Sequence, residues 1–397
     1  MFTMKNFNSL YRTITFTIDE SKSDPSQMFT AQWILADMTD AEIDEFFGYR
    51  PCLLDASGNV YKYLNPNDFT KDVDGNDVTN YINWTTGTYN VMIEYPRRWI
   101  KREKSGNIIT VSITDNPADY DNGFHYYPRT RGAVDLTSEN TKTAEESGKR
   151  DYFYAGAYKG YVKDSKLRSI SWFIPTTSQT RATFRTQAKA NGTGYWLMGY
   201  FNRDYLKDIW WARFKNGNSQ TALGRWFVDK TSWWSSTGCY TGSTNTRWMH
   251  WWNTSSWTDI NNNRMKFAWQ EDFWGNIWEW TDGLNINGYV AYASTDCSNF
   301  ADDTTSGSYK SVGTCTSTSD SYITAMLWTT KGWYLPTAVG GSDSTKYCDN
   351  LWINSGARVA SSGALWGNAS KAGVFVWRLS DASSNADVGI GARLMFL

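Results

Sequence analysis

The sequence predicts an α+β fold, with a β-rich N-terminal part followed by a mixed C-terminal part, and three observations carry that expectation. Stretches near the N-terminus alternate apolar and polar residues with period two, as half-buried strands do. Two segments in the middle place apolar residues at helical spacing. The remainder is dense in aromatic side chains separated by polar, Gly-containing loops.

The period-two stretches are residues 12–18 (RTITFTI) and 107–113 (NIITVSI). The second closes a hairpin turning at Ser105 and Gly106, and residues 53–64 (LLDASGNVYKYL) form another, turning near Ser57-Gly58. Ahead of both, DMTDAEIDEFFGY reads as a short helix capped by Thr39, with Glu42 completing a capping box. Residues 135–149 are polar and charged, so a linker is expected there, with a boundary near Arg131. That divides the chain into residues 1–131 and 132–397. Beyond it, a short helix is expected from Phe184, stopping at Asn191-Gly192. A stronger one begins at Asn202, with Leu206, Ile209, Trp210 and Phe214 on one face. Asn202 or Asp204 is its expected cap, and Asn216-Gly217 its end. Residues 294–321, rich in Ser, Thr, Asp and Gly, read as a long surface insertion.

Composition narrows the function classes. The 397 residues are ample for a sizeable core, and a formal net charge of −1 gives no field that draws the chain to nucleic acid or anionic lipid. No stretch approaches the roughly 18 apolar residues of a membrane span, so no insertion is expected. The opening MFTMKNFNSLYRT lacks a basic segment followed by an apolar one, and is not expected to be a secretory signal. Trp 23, Tyr 24 and Phe 19 stiffen a loop-rich core and supply flat contact surfaces. Five cysteines without a CxxC pair make neither a zinc site nor an evident disulfide framework. Cys297 and Cys315 either pair in an oxidising medium or stay free with the rest. His125 and His250 are the only histidines, which leaves little material for a metal site or a Ser-His-Asp triad, and packing is the expected role of both. DVDGNDVTN, from Asp72, lacks the twelfth-position glutamate of a calcium loop, because Asn83 stands there. No metal or cofactor is expected.

Two segments carry a resemblance. Residues 363–397 read GALWGNASKAGVFVWRLSDASSNADVGIGARLMFL, with a frame of G-x-x-W at Gly363 to Trp366, A-G at Ala372-Gly373, Leu379, S-N at Ser384-Asn385, and I-G-x-R at Ile390 to Arg393. Upstream, WGNIWEWTDG runs from Trp274 to Gly283. The tail closely resembles the variable region of proteins diversified by retroelements, among them phage-tail tropism determinants. The upstream motif resembles the G-N-x-W-E-W segment that those proteins share with formylglycine-generating enzymes. The resemblance spans residues 152–397 and implies a C-type-lectin-like (formylglycine-generating-enzyme-like) domain, two helices followed by short aromatic strands with long loops. More loosely, IEYPRRWIK, VSITDNP and GFHYYP resemble the small adaptor domains that precede lectin domains in phage tail fibres. In the family Glu279 belongs to the scaffold, hydrogen-bonded, with Trp278 and Trp280 sharing the opposite face.

The resemblance also implies what the chain does. The variable region, here about residues 347–397, recognises a host or bacterial cell-surface protein or glycan, and no catalysis follows. A virion tail, phage or prophage, or a bacterial cell surface is the implied location, and a homotrimer is one assembly the resemblance allows. The implied ligand face comprises Tyr347, Asn350, Leu351, Trp352, Ile353, Gly367, Asn368, Lys371, Val376, Trp377, Arg378, Ser380, Asp381, Asp387 and Gly389. Trp377 is the expected aromatic anchor, with Arg378 beside it for a carboxylate or a ring. Trp366 belongs to the frame, while Trp352 is open to either role. The alternative is an enzyme. The formylglycine-generating branch needs a pair of cysteines to hold copper, and ASKAG at residues 369–373, where one belongs, contains none. A glycan hydrolase would draw on Glu271, Asp272, Glu279 and Asp282.

Overall fold

The computed structural model describes residues 11–122, 124–127, 151–230, 238–250, 264–329 and 332–397. Their fold is mixed α+β and mostly sheet. The linker at 135–149 and the boundary at Arg131 lie outside the described residues.

Alternation builds the first sheet. Strand Thr13–Asp19 turns Ile14, Phe16 and Ile18 inward and pairs on one side with Phe29–Gln32, on the other with Ile108–Thr114. Ile108–Thr114 forms the expected hairpin with Arg98–Ser105, Ser105 facing Ile108 across the turn. The helix Asp40–Phe47 starts at Thr39 with a complete capping box: the Glu42 N–H donates to the Thr39 hydroxyl, and the Thr39 N–H to the Glu42 carboxylate at 2.7 Å. It stops at Gly48 in the left-handed region, where a glycine is least strained.

A second sheet crosses the expected division. Its seven strands run Tyr195–Leu197, Leu394–Phe396, Tyr152–Gly156, Asn90–Pro96, Arg50–Leu54, Val60–Asn65 and Asp68–Asp72. Tyr152–Gly156 therefore bridges Asn90–Pro96 from the N-terminal part and Leu394–Phe396 from the chain's end. Backbone pairing demands a partner on each side of a central strand, and the two parts supply one each. In consequence the segments on both sides of the expected division share one sheet and one continuous apolar core.

Both middle helices form, with shifted ends. The first is Arg181–Lys189, three residues ahead of the expected start, because the Thr180 hydroxyl accepts the Thr183 N–H. The second is Tyr200–Phe214, from Gly199 to a left-handed Lys215. Asn202 and Asp204, the expected caps, lie inside it and are buried. Rather than one apolar stripe, nearly its whole surface is covered, so its charges are paired internally. Lys207 meets Asp204 at 2.9 Å, and Asp208 accepts from Tyr334 at 2.8 Å and from Arg102.

The third sheet carries the C-terminal region. In order its strands are Lys310–Thr314, Val290–Ala293, Trp278–Asn287, Ala357–Ser362, Trp377–Asp381, Asn350–Ile353, Ser321–Trp328 and Trp333–Val339, with Ile390–Ala392 parallel to Trp278–Asn287. The stretch expected as a surface insertion thus contributes a strand, Lys310–Thr314, at the sheet edge. All five cysteines are buried, and Cys297 and Cys315 do not pair with each other.

Candidate functional site: the outward face of the C-terminal sheet

The two motif segments meet. Gly275 and Asn276 both have positive φ, 78° and 66°, which makes the tight turn. That turn is bonded to the tail's first frame element: the Gly275 N–H donates to Gly363 O at 2.6 Å and the Trp366 N–H to Asn276 O at 3.0 Å. Beyond the turn, Glu279 accepts from Arg393 through Nε (3.1 Å) and Nη2 (2.8 Å), from Lys159 at 2.8 Å and from Arg203 at 3.1 Å. Every member is buried. Burial alone would raise the Glu279 carboxyl, but Arg393, Lys159 and Arg203 outweigh it and hold the group well below the usual carboxylate range. Burial also pushes the Lys159 ammonium down to about 8, against the pull of Glu279. Asp272 and Glu271 are tied to Arg264, and Asp282 to Arg185, so the four carboxylates weighed for hydrolysis are buried and engaged in ion pairs.

This scaffold holds a four-strand register. Trp280, Ser361, Arg378 and Trp352 lie side by side across neighbouring strands, and the next row is Glu279, Ser362, Trp377 and Leu351. Successive side chains of a strand point to opposite faces, so these rows belong to opposite faces of the sheet. The Glu279 row faces the core. Trp377 is fully buried, its indole N–H donates to Tyr334 O at 2.8 Å, and Lys207 of the helix Tyr200–Phe214 stands 4.1 Å from its ring. The other row is covered at Trp280 and Ser361 and half-buried at Arg378 and Trp352, which form its accessible part.

On the outward face four groups converge. The Trp352 ring stands edge-on to Trp278 with centroids 5.3 Å apart, and the Arg378 guanidinium lies 6.0 Å from the Trp278 ring. Lys371, exposed on the loop after Asn368, is 6.0 Å from the Trp352 ring. Arg378 is further fixed by Asp381 at 2.7 Å. Trp278 is itself buried and forms the floor, a contribution that no feature of residues 347–397 signals. The arrangement is a stiff aromatic surface edged by two cations, suited to a ligand with a flat or acidic surface.

The residues expected on the ligand face divide. Trp352, Gly367, Asn368, Lys371, Arg378, Ser380 and Asp387 are exposed or half-buried. Asn368 and Asp387 also shape their own loops, accepting from the Leu365 and Gly389 N–H groups at 2.6 Å each. The other eight are buried and are corrected to scaffold. Leu351 and Trp377 fall on the inward row. Tyr347 donates to Glu20 at 2.8 Å, Asn350 donates to Leu351 O, and Ile353 is 6% exposed. Val376 lies buried in the turn that leads into the strand. The Asp381 carboxylate is tied to Arg378 and Asn385, and burial raises its carboxyl against those two partners. Gly389 is packed so closely that an added Cβ would lie 2.6 Å from Leu365.

No protein-family profile matches the chain, and a search of curated proteins finds no match.

Proposed function

We infer that the chain is a recognition protein whose C-terminal part is a C-type-lectin-like domain, binding a cell-surface protein or glycan through the outward face of its last sheet. The observation that carries the reading is the register. It sets Trp352 beside Arg378 on one accessible face, with Lys371 6.0 Å from the Trp352 ring, while Leu351 and Trp377 of the next row point into the core. A surface so built tolerates exchange of its outward side chains without loss of the fold, and rigid aromatic groups limit the entropy lost on binding. The meeting of Gly363–Trp366 with Gly275-Asn276, and of Arg393 with Glu279, supports the same reading, because both tail anchors are fixed by the upstream motif. Tail or cell-surface display, in a homotrimer or another multivalent form, would add avidity to a weak single site. The enzyme readings have no comparable observation in their favour.

The test is capture of bacterial cells and of arrayed glycans by the immobilised full chain. Replacing Trp352, Lys371, Arg378 and Ser380 together by alanine is expected to abolish capture while the chain remains folded and unfolds cooperatively. Undiminished capture by that variant would refute the assignment of the face.

A further inference from the structure

Elsewhere in the molecule, a cleft of about 750 Å3 opens between the helix Asp40–Phe47, the strands Arg50–Leu54 and Val60–Asn65, and residues 248–250. None of the outward residues described above lines it. Its walls are largely apolar and aromatic, with Tyr49, Tyr63, Leu64, Met249 and Trp269 among them, and Trp248 stands 67% exposed at its side. An exposed tryptophan beside a concave apolar surface is what a binding site presents.

Among the described residues, most polar groups of the cleft are committed to one another, while Glu45, 74% exposed, meets Arg12 at 3.6 Å. Asp44 accepts from the Tyr49 hydroxyl at 2.7 Å and from His250 Nε2 at 3.0 Å, while His250 Nδ1 accepts the Ala268 N–H. Both ring nitrogens are engaged, which fixes a neutral imidazole and leaves no free base. Arg213 is held by Asp40 at 2.6 Å and Asp44 at 3.3 Å. Arg50 differs. Its Nε and Nη2 bind Glu94 at 3.2 and 2.6 Å, and its guanidinium lies over the Tyr63 ring at 4.1 Å. Glu94 is anchored in turn by the Tyr154 hydroxyl at 2.9 Å. The guanidinium is thereby fixed, its side chain is 52% exposed, and Nη1 has no partner among the described residues.

We propose that this cleft is a second ligand site, for a small amphipathic molecule with an apolar ring body and one anionic group. The ring body fills the space between Tyr63, Met249 and Trp269, and the carboxylate or sulfonate binds Arg50. A guanidinium held in place by two hydrogen bonds and a stacked ring has little freedom left to lose on accepting an anion. The site is independent of the recognition face, and its test uses different residues and different ligands.

The probes are 1-anilinonaphthalene-8-sulfonate and the uncharged N-phenyl-1-naphthylamine, titrated by fluorescence into the intact chain. Saturable one-site binding of both is expected. Arg50→Gln should weaken the sulfonate about tenfold, the worth of one charge-assisted contact, and leave the uncharged probe unchanged. Ala41→Trp, at an exposed wall position, should block both, and Arg378→Ala should affect neither. If Arg50→Gln fails to fold, Ala41→Trp alone tests the location and Arg50→Lys the geometry, with a smaller loss for the sulfonate only. Absence of saturable binding, or binding indifferent to Ala41→Trp, overturns the site. Equal loss of both probes with Arg50→Gln, or no loss of the sulfonate, overturns the anionic assignment.

Discussion

At the scale of the residue, Glu279 and Arg393 do the joining. Each belongs to a different motif, and neither has access to solvent. Removing one partner strands the other in a medium that cannot solvate it, at a cost of about 3–5 kcal/mol. Glu279→Gln and Arg393→Ala are each expected to lose stability on that order in urea unfolding; a loss below ~1 kcal/mol would mean that the cluster is not what ties the tail to the sheet. His250 predicts a pH dependence. Burial lowers it from its ordinary 6.5, against the pull of Asp44, so the folded ring stays neutral where an unfolded one takes a proton. The unfolded state then binds more protons, and stability declines as pH falls below 6.5, by at most ~1.4 kcal/mol per unit. For Asp44, burial raises the carboxyl but His250, Tyr49 and Arg213 more than reverse that, so its contribution is lost only below its ordinary 3.8. Stability measured from pH 7 to pH 5 should be flatter in His250→Gln than in the parent, and equal slopes would contradict the account.

At the scale of the element, one strand separates scaffold from surface. Trp377–Asp381 buries Trp377 and Leu379 on the inward side and leaves Arg378 half-buried on the other, where a bulge brings the Asp381 carboxylate to it. Trp377→Ala should cost about 3–5 kcal/mol, as large core truncations do, whereas Arg378→Ala, which leaves the buried Asp381 with Asn385, should cost about 1–2 kcal/mol. Comparable losses at the two positions would remove the distinction. The capping box of Asp40–Phe47 was legible in the sequence, because local chemistry dictates it. The ligand face was only half legible. Treating 377 and 378 as neighbours on one surface ignores the alternation that any strand imposes, and nothing local announced that 377–381 was a strand rather than a loop. The ends of Tyr200–Phe214 were missed for a related reason: Asn202 and Asp204 look like caps, but tertiary burial and the pairing of Asp204 with Lys207 draw them inside.

At the scale of the whole molecule, the last strand ties the chain together. Leu394–Phe396 lies between Tyr152–Gly156 and Tyr195–Leu197, and Tyr152–Gly156 in turn pairs with Asn90–Pro96. Long-range pairings of this kind are invisible to a residue-by-residue reading. Sharing a sheet and a core should make the chain unfold as one unit. Urea transitions followed by tryptophan fluorescence and by far-ultraviolet circular dichroism are expected to coincide, and deletion of residues 394–397 should abolish the transition. Two separated transitions would contradict a single unit and support the division near residue 131.

The central claim is that the outward row of the last sheet is an exchangeable recognition face on a fixed frame. The most direct measurement is to sequence the coding region of the tail alongside its neighbouring DNA and search for a near-copy beside a reverse transcriptase gene. The account predicts such a copy, with adenine-directed differences at the codons of outward residues such as Trp352, Lys371, Arg378 and Ser380, and none at those of Trp377, Leu379 or Arg393. Differences scattered equally over inward and outward codons, or no copy at all, would contradict it.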